Sequence, residues 1–149
     1  MIHSLLAIDP GAKTGWAWYG GGRLLGCGVV SPSDTIEVPR GLDMVVIENP
    51  EIYPNSPARP ADILKLARIV GRYEERFSAR AKYLELVPPH KWKGSVSKDI
   101  MLKRIEESTP LHDRPAMLAY QGGYRHNMVD AVGLGRWALK QPFVTKRAK

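Results

Sequence analysis

Three carboxylates in this sequence stand where an apolar element meets polar chain. Asp9 follows Leu5-Leu6-Ala7-Ile8, Glu48 follows Met44-Val45-Val46-Ile47, and Asp130 falls in the first turns of an apolar segment that continues toward Lys140. Two parallel strands lying side by side would carry Asp9 and Glu48 to one edge of a sheet. A helix whose N-terminus is aimed at that edge would add Asp130. Carboxylates drawn together with no basic partner repel strongly, so divalent cations normally hold such a cluster. Taken singly, each acid reads equally well as a turn residue, a strand terminus or a solvated helix acid. Taken together in a basic chain, they point to a metal site for phosphate chemistry.

The charge balance suits that chemistry without dictating it. Lys and Arg number 22 against 15 Asp and Glu, for a net charge of +7. Such an excess attracts polyanions over long range, although a generic basic protein has the same property. A length of 149 residues corresponds to a single domain, expected here over 1–149 with a basic tail from about 143 that includes Lys146, Arg147 and Lys149. The lone Cys27 sits in an apolar stretch, excludes an intramolecular disulfide and reads as a core residue in a reducing compartment. Residues 1–9 show no basic start or cleavage signal and no segment approaches a membrane span, so the expected location is the cytoplasm.

The elements that must position the acids are legible from pattern. Residues 2–8 read as a buried strand, with further strands over 14–20 and 23–30 around the turn Gly20-Gly21-Gly22. The connection 31–43 holds Pro32, Pro39 and Gly41 and allows little regular structure before the central strand that ends at Glu48. Four prolines between Asn49 and Pro60 make that stretch an irregular loop, with Pro60 suited to the first turn of a long helix over about 61–79. There Ile63, Leu66, Ala67, Val70, Tyr73 and Phe77 recur at helical spacing, and Leu64 and Ile69 widen the apolar surface. That breadth fits one wide core or a second copy of the chain. A strand over 83–87 stops at Pro88-Pro89, Ser97 can cap a short helix to about Glu107, and a last helix runs from near Asn127 to Lys140. A meander followed by alternating strands and helices predicts an α/β fold with a mixed sheet covered by helices.

Three segments carry a resemblance to a known family. Ile8-Asp9-Pro10-Gly11-Ala12-Lys13-Thr14-Gly15-Trp16-Ala17, Val46-Ile47-Glu48 and His126-Asn127-Met128-Val129-Asp130-Ala131 resemble, in order and interval, the acidic motifs of RuvC-like Holliday junction resolvases. The resemblance implies an RNase H-like sheet of five strands in the order 3-2-1-4-5. It also implies a homodimer in a bacterial or phage-infected cell that binds four-way or branched DNA and nicks opposing strands. Magnesium or manganese, two ions per site, would activate water, with Asp9, Glu48 and Asp130 as metal-binding acids and Lys98 as a cation for the transition state. Relatives often carry a fourth acid where this chain has Asn127. Asn127 reads either as a neutral oxygen ligand or as a helix N-cap, and His126 either as a ligand or as a nearby phosphate contact. The short 31–43 connection, where relatives often carry a helix, resembles a trimmed, phage-type member.

Candidate DNA contacts are Lys13 in the hairpin, Lys98, and the basic, aromatic loop Lys91-Trp92-Lys93-Gly94, in which Trp92 reads equally as a core anchor. Tyr53 stands near the place of an aromatic that wedges into junctions in some relatives. Arg59, Lys65, Arg68, Arg72, Arg76 and Arg80 give the long helix a basic character. Two other functions stay open: an architectural protein that binds junctions without cutting, and a YqgF-type RNase H-like ribonuclease. An actin-like phosphotransferase would need two such domains.

Overall fold

Apolar runs become the sheet and glycines set its hairpin. The computed structural model describes residues 2–51 and 58–140. Strands β1 (Ser4–Asp9), β2 (Thr14–Gly20) and β3 (Arg23–Val30) form an antiparallel meander. Gly21 and Gly22 have φ of 58° and 79°, the two positive values that a tight turn matched to the strand twist requires. Strand β4 (Leu42–Glu48) lies parallel to β1, and β5 (Ala81–Val87) parallel to β4, reached through helix α1 (Pro60–Ser78). A parallel return needs such a crossover. The strand order is β3-β2-β1-β4-β5, the mixed α/β arrangement that the sequence predicts.

Alternation along β1 and β4 divides the interior in two. Leu6, Ile8, Val45 and Ile47 face Val70, Tyr73 and Phe77 of α1, together with Ile36 from the 31–41 connection. Leu5, Ala7, Met44 and Val46 face the opposite layer, built from α2 (Pro89–Lys93), α3 (Lys98–Ser108), α4 (Arg114–Ala119) and α5 (Arg125–Lys140). Tyr73 and Phe77 are fully enclosed, each contributing roughly 1.5–3 kcal/mol through burial. The stripe on α1 is narrower than its spacing suggests: Ala67 is exposed, and Leu64 keeps 60% of its surface in solvent. Only the C-terminal half of α1 is buried against the sheet.

Arginines from this region hold the irregular connection. Arg76 donates to the carbonyls of Pro32 (2.8 Å) and Asp34 (3.2 Å), and Arg80 donates to that of Val38 (3.2 Å). Satisfying loop carbonyls in this way lets Ile36 enter the core without stranding backbone polar groups. Two of the residues expected to lend α1 a DNA-facing charge thus serve the fold.

Local expectations fail at three places. The loop expected at Lys91-Trp92-Lys93 is the short helix α2, because Pro89 initiates helix where it was read as part of a stop. Helix α4 has no counterpart in the sequence reading. Helix α5 begins at Arg125, so Asn127 is its third residue and not its N-cap. Ser97 does precede α3, but its side chain makes no capping hydrogen bond. Among the described residues, no helix is long and apolar enough to cross a membrane. The basic tail and Tyr53 lie outside the described residues.

Candidate active site

Strand alternation alone sends Asp9 and Glu48 to the same side of the sheet. Asp9 continues the series Leu5, Ala7, and Glu48 continues Met44, Val46, all of which face the α5 layer. The parallel register pairs Ile8 with Ile47, so the next residue on each strand is one of the two acids. Asp130 projects from the buried face of α5 with only 5% of its surface exposed. Helix α5 lies close enough to deliver it because position 15 is glycine. A Cβ there would fall 1.9 Å from the carbonyl oxygen of Asn127, well inside contact distance, so the first turn of α5 rests directly on β2.

The three acids line one cleft of about 610 Å³, together with His90, Lys93, Lys98, Asn127 and the Gly94-Ser95-Val96 segment. Their electrostatics confirm the proximity. Burial pushes Asp9 well above the usual carboxylate range, and repulsion from Glu48 and Asp130 pushes it further, against the pull of Lys93 and Lys98. Glu48 is also raised, first by burial and then by Asp130, with Lys93 opposing. Such perturbed acids in a cleft are a physical marker of a functional site.

The premise that the acids have no basic partner is corrected by the structure. The Lys93 ammonium lies 3.2 Å from Glu48 Oε2 and 3.5 Å from Asp130 Oδ2. Burial alone would lower its pKa, but Glu48, Asp130 and Asp9 raise it above the ordinary lysine value, so it carries full charge at neutral pH. Among the described residues, no group of three or more His, Cys, Asp and Glu is arranged to hold a metal ion as it stands. The donor chemistry nevertheless suits a hard divalent cation, since three carboxylates offer only oxygen. Their mutual repulsion is offset only in part by Lys93 and Lys98.

The other candidates divide between the cleft and its surroundings. Trp92 is buried at 9% exposure, and its indole N–H donates to Glu48 Oε2 at 3.1 Å. It therefore orients the acid from within the core, and the expected contact with sugar or base is not available to it. Lys93 likewise faces carboxylates where a phosphate contact was expected. Lys91 pairs with Glu85 at 3.1 Å and lies over the Trp137 ring at 5.9 Å, outside the cleft lining. Lys98 lines the cleft and makes no ion pair with the acids. Asn127 reaches the cleft, but its Nδ2 donates to the carbonyl of Lys13 at 2.8 Å, tying α5 to the β1–β2 turn and leaving Oδ1 as its one oxygen donor. His126 is not drawn into the acid cluster. Its ring stands 6.3 Å from that of Tyr124, and His126 is not among the residues lining the cleft.

Two features escaped the sequence reading. Lys93 was visible only as a basic residue beside an aromatic. Tyr124 is 55% exposed, has a φ of 56°, and carries the Lys13 ammonium 5.7 Å above its ring. It is the one non-glycine residue with positive φ among those described, a strained conformation of the kind that collects at functional sites. Its signal was Gly122-Gly123 just before it, a turn marker ahead of a helix. Tyr124 and Lys13 form an aromatic and cationic lip at the N-terminal end of α5. The chain matches no known protein-family model and no curated protein.

Proposed function

We propose that this chain is a divalent-metal-dependent nuclease of the RuvC-like type, acting on four-way or other branched DNA as a homodimer. The observation that carries the reading is the convergence of Asp9, Glu48 and Asp130 from β1, β4 and α5 into one cleft, inside a chain of net charge +7. Magnesium or manganese held by these three oxygen donors would supply the positive charge that activates water and stabilises the leaving oxygen. The protein's own groups do the positioning. Trp92 fixes one oxygen of Glu48, Asn127 anchors the β1–β2 turn that follows Asp9, and the sheet keeps both strand acids in register. Lys98 lines the cleft and would there meet a bound phosphate, where a cation is worth most as charge builds in the transition state. The Lys13–Tyr124 lip offers a cation for backbone phosphate and an exposed ring for a base that has left its stack. Paired nicks need two such clefts, and exposed Leu64 on α1 gives a second copy an apolar foothold.

A junction-binding protein without cleavage is the second reading, favoured by the Lys93 ammonium between the carboxylates and by the neutral Asn127. Incubation with a four-way junction, matched duplex and RNA–DNA hybrid, each with EDTA, Mg²⁺ or Mn²⁺, separates the alternatives. Paired, metal-dependent nicks on the junction are expected. Junction binding with no metal-stimulated cutting would favour the architectural protein, and preferential hybrid cleavage the ribonuclease.

A further inference from the structure

We propose that Lys93 is the site's resident cation: its ammonium offsets part of the charge of Glu48 and Asp130 until a divalent ion arrives, and it must give way for that ion to bind. The inference rests on the nuclease reading and deepens it by naming what controls metal entry. The ammonium makes contacts of 3.2 Å to Glu48 and 3.5 Å to Asp130 with 21% of its side chain exposed. A hard cation such as magnesium needs carboxylate oxygens at about 2.0–2.1 Å, and an ammonium seated between Glu48 and Asp130 competes with it for that position. A divalent ion and an ammonium at such short range repel one another, so each weakens the other's hold on the carboxylates. Occupancy is therefore competitive.

The structure also supplies the means of exchange. Lys93 is the last residue of α2, whose Trp92 is fixed in the core, while Gly94 follows at a φ of 64°. The backbone is thus held while a flexible four-carbon stem carries a point charge that no rigid fork fixes in place. The stem's own cleft opens to solvent beside Lys98 and Ser95, which gives the ammonium a place to go. Arginine at this position would keep the charge but lose the compact shape that fits between two carboxylates.

Isothermal titration of the full chain with Mg²⁺ and Mn²⁺ tests the exchange, using wild type and Lys93→Met. The variant is expected to bind the ion at least about tenfold more tightly, because one competing charge is gone. In EDTA its melting temperature should fall by roughly 5 °C or more, because Glu48 and Asp130 lose the one ammonium that pairs with them among the described residues. Unchanged or weaker metal affinity in a folded variant would overturn the inference while leaving the nuclease reading intact. Should the variant fail to fold, the Lys93 methylene resonance of the wild-type protein decides: movement on Mg²⁺ addition supports displacement, and an unmoved resonance at saturating ion refutes it. If neither protein takes up either ion, the metal-site reading falls and takes this inference with it.

Discussion

Replacing Asp9 with Asn should stabilise the protein while abolishing its cutting. Asp9 is partly buried at the end of β1, and loss of water together with repulsion from Glu48 and Asp130 disfavours its charge, with Lys93 and Lys98 compensating only in part. The strand acids belong to adjacent strands, spaced about 4.8 Å apart. Two like charges near 6 Å in a medium of effective dielectric about 20 repel by roughly 3 kcal/mol. After allowance for the lysines and for the amide's own hydrogen-bonding needs, a net gain of about 1–2 kcal/mol remains, or roughly 3–6 °C in melting temperature. The pH dependence carries the sign. The folded state holds its Asp9 proton to higher pH than the unfolded chain, so below the ordinary aspartate value Asp9 contributes nothing to the balance. As pH rises from there toward the raised folded value, the wild type loses stability that Asp9→Asn retains. Thermal unfolding in EDTA from pH 4 to 8, beside a junction-nicking assay with Mn²⁺, reads both effects. The two proteins should converge in acid and separate toward neutrality. A variant less stable than wild type at pH 7, or one that cuts at the parent rate, would refute the argument.

Two further outcomes probe how the site is built. Gly15→Ala places a methyl group 1.9 Å from the carbonyl oxygen of Asn127 and must lift α5, at a cost of about 2–3 kcal/mol. It should lower the melting temperature and, by displacing Asp130, reduce nicking more than binding, as equilibrium unfolding and single-turnover kinetics would report. Tyr124→Ala should weaken junction affinity by at least about fivefold, the lower end of one lost stacking contact of about 1–3 kcal/mol. Tyr124→Phe should retain it, and equal losses for both variants in fluorescence anisotropy would exclude a stacking role.

Much of this architecture could be read from residue order because the signals were local and strong. The run Leu5 to Ile8, the run Met44 to Ile47 and the glycine turn each specify one element almost independently of the rest; the sheet then registers Asp9 with Glu48, and the close seat of α5 over Gly15 adds Asp130. What failed depended on tertiary contacts. Trp92 looks like a nucleic-acid ligand in a basic segment until the core that receives its ring is known, and Lys93 is then turned toward the carboxylates. Asn127 looks like a cap until α5 is seen to start at Arg125, after Tyr124 takes the left-handed conformation that ends the preceding turn. The α1 arginines look like a phosphate-binding stripe until Arg76 and Arg80 are found on loop carbonyls. Cys27 reads as a core residue but is only partly buried, packed against the core: burial pushes its pKa up to about 11, and its Sγ approaches the carbonyl of Ala116 at 3.4 Å.

The flush ends of β1 and β4 make the sheet a ruler for its own chemistry. Side chains on a strand alternate between faces, so sliding β4 by a single position would swing Glu48 through to the α1 layer, among Val70 and Tyr73. No loop rearrangement could then restore the pair. Insertions in the 31–41 connection should accordingly be tolerated with respect to site geometry, whereas one added residue between Leu42 and Glu48 would silence the site while leaving a sheet that still looks whole.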